Sequence, residues 1–113
     1  MEPKHIRSED VEKNDFGSVI VQNLLADESY DKFSVAKVEL DGDSGFELNK
    51  VSDIVDYIME GEGKFFIEDK EYNVKKGDII FIPKNTKFKH VGKMILLAIS
   101  MPKFDRDERV RFD

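Results

Sequence analysis

Short apolar runs alternate with turn residues along most of the chain. Ser18-Val-Ile-Val-Gln22 reads as a strand, a polar stretch follows from Asp27 to Asp31, and Phe33 to Leu40, rich in valine, reads as a second strand. Asp41-Gly-Asp-Ser-Gly45 is a loop by composition, because Gly and Asp tolerate left-handed backbone and close local turns. Ile54 to Met59 predicts a third strand, with Glu60-Gly-Glu-Gly63 as the turn into Lys64-Phe-Phe-Ile-Glu68. Asp69-Lys70 connects tightly to Tyr72-Asn-Val74, and Lys75-Lys-Gly-Asp78 turns into Ile79-Ile-Phe-Ile82, which runs straight into Pro83. Pro83-Lys-Asn-Thr86 is a further turn, after which Lys87 to Val91 leads through Gly92 to Met94-Ile-Leu-Leu-Ala-Ile99. Turns every 8–12 residues or so, with β-branched and aromatic runs between them, predict an all-β sandwich or barrel.

The two ends differ from this middle. Residues 1–15 carry eight charged side chains and read as an arm or a short helix, and the tail from Pro102 to Asp113 is charged again. A charged arm (residues 1–15) and a β-domain (residues 16–113) are therefore expected. The full length of 113 residues suits one domain of the usual size. Nine Phe and three Tyr argue against a disordered chain.

Charge and composition narrow the chemistry. Eighteen basic against twenty-four acidic residues leave a net charge of −6, which disfavours nucleic acid and anionic membranes as partners. With no Cys and only His5 and His90, disulfides, thiolate nucleophiles, thiolate metal sites and His-rich metal sites are excluded. The first fifteen residues lack the apolar core of a signal peptide, and the longest apolar run is Met94 to Ile99, so a cytoplasmic protein is expected. Glu60-Gly-Glu-Gly63 is not a phosphate loop, because it leads into a strand and not into a helix whose N-terminus would hold the anion. Lys84 to Lys93 carries four lysines in ten residues and reads as a solvated strand edge. Phe65, Phe66 and Phe81 lie in uninterrupted apolar runs and read as core.

The stretch from Asp53 to Pro102 resembles the cupin superfamily, in particular its small single-domain members of the cupin-2 kind. The resemblance rests on Tyr57-Ile-Met-Glu-Gly-Glu-Gly63, on Val74-Lys-Lys-Gly-Asp-Ile-Ile-Phe-Ile-Pro83 and on Asn85-Thr86. It implies a jelly-roll β-barrel. In metal-binding cupins the first motif carries two His one residue apart and a Glu seven residues before the hairpin Gly, and the second motif a His five residues after the Pro. Here the two His positions fall on Glu47 and Asn49, or on Leu48 and Lys50, according to one residue of loop length. The Glu position holds Ile54 and the last His position Phe88. Asp53 could replace the Glu only by a register slip, which would invert its facing. The resemblance therefore implies the scaffold without its usual metal, and no cofactor is expected.

Strand alternation places side chains inside that barrel. If Ile54 and Phe88 face inward, so do Asp56, Ile58 and His90, while Val55, Tyr57, Lys87 and Lys89 face out. The expected cavity is apolar, lined by Ile54, Ile58 and Phe88, with Asp56 and His90 as paired polar members and Glu47 and Asn49 at its side. A buried carboxylate is costly unless partnered, and a neighbouring His would supply the partner. Three readings follow. The first is a metal-independent module binding a sugar, a small carboxylate or a regulatory ligand. The second is a metal-free isomerase or epimerase using His90 as base oriented by Asp56, although Tyr57 faces away and Tyr72 is unplaced as an opposing acid. The third is an oxygen-rich metal site built from His90, Asp56 and Glu47 or Asn49. A homodimer, through edge strands or a swapped arm, is expected in each.

Overall fold

Two long antiparallel strands organise the molecule, and their glycines explain its shape. A computed structural model describes residues 2–112, so Met1 and Asp113, the outermost residues of the expected arm and tail, lie outside the description. The strands are β1 (Asn14–Asp15), β2 (Val19–Leu25), β3 (Ser34–Asp43), β4 (Phe46–Asn49), β5 (Asp53–Ile67), β6 (Lys70–Lys75), β7 (Ile79–Ile82), β8 (Phe88–Met101) and β9 (Arg109–Phe112). They form one nine-stranded antiparallel sheet, curled on itself. Among the described residues the only helical segments are 3₁₀ turns at Ser8–Asp10 and Arg106–Glu108, and no helix is long and apolar enough to cross a membrane.

β5 and β8 pair along almost their whole length, from Asp53 opposite Met101 to Ile67 opposite Phe88, with one bulge between Ile58 and Glu60. On its other edge β5 carries β7 against its first half and β6 against its second. β8 is flanked on that side by β5 and on the other by β3 and then β4. Two strands of 15 and 14 residues can serve both walls of a barrel only if they bend. The bend lies where Gly63 faces Gly92 and Gly92 faces Gly42, a row of glycines across β5, β8 and β3. A Cβ on Gly92 would stand 2.7 Å from the Gly63 Cα, and one on Gly63 would overlap the Val91 carbonyl. Only glycine permits so close an approach of neighbouring backbones.

This geometry corrects several expectations. Glu60-Gly-Glu-Gly63 is not a hairpin, because β5 runs through it without reversing. Lys87 to Ile99 is not two segments with a lysine edge, since β8 is continuous from Phe88 and paired on both sides. Two of these lysines are instead stacked: Lys87 Nζ lies 4.8 and 4.6 Å from the ring centres of Phe46 and Phe112, and Lys89 Nζ lies 4.9 Å from Phe46. Phe81 is not core. It is 55% exposed, because β7 pairs with β5 alone and turns alternate side chains to solvent. The charged tail supplies a strand that the sequence reading did not assign: β9 pairs with β4 through Glu47 opposite Arg111 and Asn49 opposite Arg109. The arm packs on its own chain: β1 pairs with β2, and the buried Gln22 amide donates to the carbonyls of Ser8 and Val11 at 2.7 and 3.0 Å.

The core is drawn from the inward sides of β3, β5, β6, β7 and β8. Ile58, Phe65, Ile82, Met94 and Leu96 are fully enclosed, joined by Leu40, Ile54, Val74 and Phe88. Each such side chain contributes roughly 1.5–3 kcal/mol relative to exposure.

Candidate functional site

Alternation on β5 faces Ile54, Asp56 and Ile58 inward, all buried, and leaves Tyr57 exposed. On β8 it does the same for Phe88 and His90. The inward placement of these five residues follows the sequence expectation. The open choice on the preceding segment is decided by β4. Glu47 lies opposite the inward Phe88, Asn49 is buried two residues on, and Lys50 is exposed. Asn85, which takes a left-handed φ of 59°, donates its backbone N–H to the Asn49 carbonyl at 2.6 Å and fastens the β7–β8 turn to β4.

His90 is held rigidly. Its backbone N–H donates to Ser44 Oγ at 3.0 Å, and its carbonyl accepts from Ser44 N–H at 3.0 Å. The imidazole stands edge-on to the rings of Phe65 and Phe88, at 5.2 and 6.2 Å between centres. Burial in this apolar setting holds His90 down to about 4, so the ring is neutral at neutral pH. Burial pushes Asp56 up to about 7, with the charge of Glu47 adding to the effect. Burial raises Glu47 too, against the pull of Arg109 and Arg111. Arg109 Nε sits 3.6 Å from Glu47 Oε2, and Arg111 donates to the Ser44 carbonyl at 3.1 Å.

The expected hydrogen-bonded pair of Asp56 and His90 is not formed. Asp56 Oδ1 and His90 Nδ1 are both buried and both without a partner. The cause is register. Asp56 lies opposite Ala98, before the bulge, whereas His90 lies opposite Phe65, beyond the row of glycines. A third buried atom, Asn49 Oδ1, is equally unpartnered. Buried polar groups are nearly always bonded, to protein or to ordered water, so these three orphans are the interior atoms that have bonds left to make. Among the described residues no three Asp, Glu or His side chains cluster closely enough to hold a metal ion. With hydrocarbon at Ile54 and Phe88 and Glu47 engaged by Arg109, these residues do not fit the usual cupin metal.

Sequence reasoning missed Arg109 and Arg111. The alternation Arg109-Val-Arg111-Phe is a weak strand signal, concealed by a charged tail. A surface depression of about 840 Å³ lies outside the barrel between Glu39, Asp41, Glu60, Glu62 and Lys93, away from the orphaned atoms.

Comparison with known proteins follows from this geometry. The family model for the mannose-6-phosphate isomerase cupin domain matches residues 25–102. An uncharacterised protein of Methanocaldococcus jannaschii is 32% identical over 97 residues, which span 79% of this chain and 78% of that protein. A variant of PAC13 from Streptomyces, solved with uridine, superposes with a TM-score of 0.89 at 17% identity, covering 99% of this chain and 92% of that one; another of its structures describes Pac13 as a nucleoside dehydratase. A protein from Thermotoga maritima described as a predicted oxalate decarboxylase gives a TM-score of 0.77 at 21% identity, covering 88% of this chain and 99% of that one. The curled sheet, the inward register of the two motif strands and the family match agree: the chain is a cupin, a member of the mannose-6-phosphate isomerase cupin-domain family.

Proposed function

We propose that the barrel binds an uncharged, hydroxyl-bearing small molecule, a sugar and not a small carboxylate, without a metal ion. The observation that carries this reading is the trio of buried, unpartnered atoms Asn49 Oδ1, Asp56 Oδ1 and His90 Nδ1. Hydroxyl groups both donate and accept, so one polyol can satisfy an amide oxygen, a carboxyl group and a neutral imidazole together. An anion meets the wrong field. Glu47 lies near enough to act on Asp56, His90 is neutral, Arg109 is engaged by Glu47 and Arg111 by the Ser44 carbonyl. The uridine bound by PAC13 is an uncharged nucleoside carrying such hydroxyls, which is in keeping with this choice.

The test is calorimetric titration with mannose, ribose and uridine beside mannose 6-phosphate and oxalate, backed by thermal shift. An uncharged probe at a hundred times its Kd should stabilise the chain by about 2.7 kcal/mol, and Asn49→Leu should abolish the effect. Preference for the anions, or silence from all the uncharged probes, refutes the reading.

A second reading, metal-free isomerisation or epimerisation, draws support from Asp56, whose titration near neutrality suits a general acid–base. Asp56, and not His90, would then carry the proton. Proton exchange into a bound aldose, followed by NMR in heavy water, should disappear in Asp56→Asn; no exchange in the wild type rejects catalysis while leaving binding intact.

A further inference from the structure

The three unpartnered atoms of the barrel interior are closed off from solvent. Asn49, Asp56 and His90 show 4%, 2% and 6% of their surfaces, so a molecule that meets them needs part of the wall to move. The strands at the margins of the sheet are the candidates, because each has one neighbour. β6 and β7 pair with β5 alone, but they send Val74 and Ile82 into the core. β1 lies at the far end of the strand order from β4 and β9. β9 differs from all of these. It pairs with β4 alone, its four side chains are half-buried or exposed, and none joins the core. β4 in turn joins β8 through the single pair of Glu47 and Phe88.

Opposed residues on paired strands share a face, so Arg109 and Arg111 lie on the inward face with Asn49 and Glu47. Their side chains fasten β9 to the wall from within. Arg109 Nε stands 3.6 Å from Glu47 Oε2, and Arg111 Nη2 donates to the Ser44 carbonyl at 3.1 Å. Ser44 is the residue whose hydroxyl accepts from the His90 N–H and whose own N–H donates to the His90 carbonyl. On the outward face Lys87 rests over the Phe112 ring at 4.6 Å. An ion pair whose arginine is one-third exposed and a cation over a partly exposed ring are weak ties, because water competes for both. A strand held in this way, without buried hydrocarbon, opens locally at far lower free energy than the core. We infer that β9 is a releasable strap on the binding site: it swings away from β4, withdraws Arg109 and Arg111 from Glu47 and Ser44, and admits a small molecule to Asn49 and His90. The inference rests on the barrel interior as the site proposed above and adds the route by which that site is reached.

The test reads the reactivity of His90 toward diethyl pyrocarbonate at neutral pH, by mass spectrometry of the modified chain. The other histidine, His5, is exposed and serves as the internal control. The chain has no cysteine, so the double variant Leu48→Cys, Val110→Cys, at opposed positions of β4 and β9, can tie the strap down by a disulfide of its own. His90 should react at least tenfold more slowly in the oxidised variant than after its reduction, with His5 unchanged. Arg109→Met combined with Arg111→Met should speed the His90 reaction at least threefold over the wild type. Equal rates in the oxidised and reduced variant, a His90 that never reacts, or no gain in the arginine variant overturns the inference. Should the cysteine variant fail to fold, hydrogen exchange on the wild type decides. The Lys50 amide, bonded to the Glu108 carbonyl beside the strap, should exchange at least a hundredfold faster than the Ile58 amide, bonded to the Asp78 carbonyl, and equal protection overturns the inference. No sugar enters either measurement, so a silent titration with sugars strikes the binding reading alone.

Discussion

The inner wall around His90 and the outer face around Phe81 invert one another. Inside, Asn49, Asp56 and His90 bury polar atoms without partners; outside, Ile79, Phe81 and Tyr57 expose apolar surface without cover. Apart from Asn49 on β4, both arise on β5 and its neighbours by the same alternation, since Asp56 and Tyr57 are adjacent residues on opposite faces. A sequence selected only for stability would exchange the two faces' chemistry. Local rules are broken in this way where a structure is meant to meet another molecule. The comparison also separates two kinds of cost. An orphaned buried carboxyl destabilises the folded chain, whereas an exposed Phe costs it little.

Breaking the close backbone approach of β5 to β8, the two strands that carry most of both faces, should have the largest effect. Gly63→Val drives a side chain into the Val91 carbonyl and should cost about 3 kcal/mol or more, read from the urea midpoint. A cost below about 1 kcal/mol would show that the strands do not need this contact. Next, Phe65→Ala should cost about 3–5 kcal/mol, while Phe81→Ala should leave the stability of the isolated chain within about 0.5 kcal/mol. Equal costs would mean that the outer face is as well packed as the inner one.

Asp56→Asn sharpens the contrast through pH. The carboxyl titrates at about 7 in the fold against an ordinary 3.8. The native state therefore keeps a proton that the unfolded chain releases, and its stability contribution, complete below about pH 4, is lost as the pH rises through 7. The variant should match the wild type near pH 4 and exceed it by roughly 2–4 kcal/mol above pH 7. A stability difference that does not change with pH would place Asp56 in contact with water. His90 works in the other direction. Held near 4 against an ordinary 6.5, it costs stability as the pH falls below 6.5, so His90→Gln should flatten the acid limb of the melting curve between about pH 6.5 and 4. The smallest effect belongs to Arg109→Met, which strips Glu47 of its partner. With the arginine one-third exposed, the loss should be about 0.5–1 kcal/mol at neutral pH, and the Glu47 carboxyl should titrate higher still, a shift visible by NMR.

Much of the fold was legible because alternation is a local property. The strands through Ile54, Ile79 and Met94 lie where the apolar runs placed them, and the inward set Ile54, Asp56, Ile58, Phe88 and His90 needed only a period of two. What misled was the meaning of punctuation. A Gly pair such as Gly61 and Gly63 signals backbone freedom or close approach, and whether the chain reverses there or merely bends depends on a partner, β8, thirty residues away in sequence. Phe81 looked like core because an apolar run does not disclose that its strand stands at the margin of the sheet with one neighbour.

The same division holds for the site. Residue types and their facing were decided by the sequence alone: hydrocarbon at Ile54 and Phe88, one inward carboxylate at Asp56, one inward imidazole at His90, and no cysteine. Distance along the barrel was not. Alternation fixes the face of a side chain, whereas its neighbours across the interior depend on pairing register, on the bulge after Ile58 and on the bend at Gly63 and Gly92. Only tertiary structure could keep Asp56 from bonding His90, choose Glu47 and Asn49 over Leu48 and Lys50, and bring Arg109 from the tail to Glu47. Those are non-local contacts, closed by strand pairing between segments whose separation no local pattern encodes.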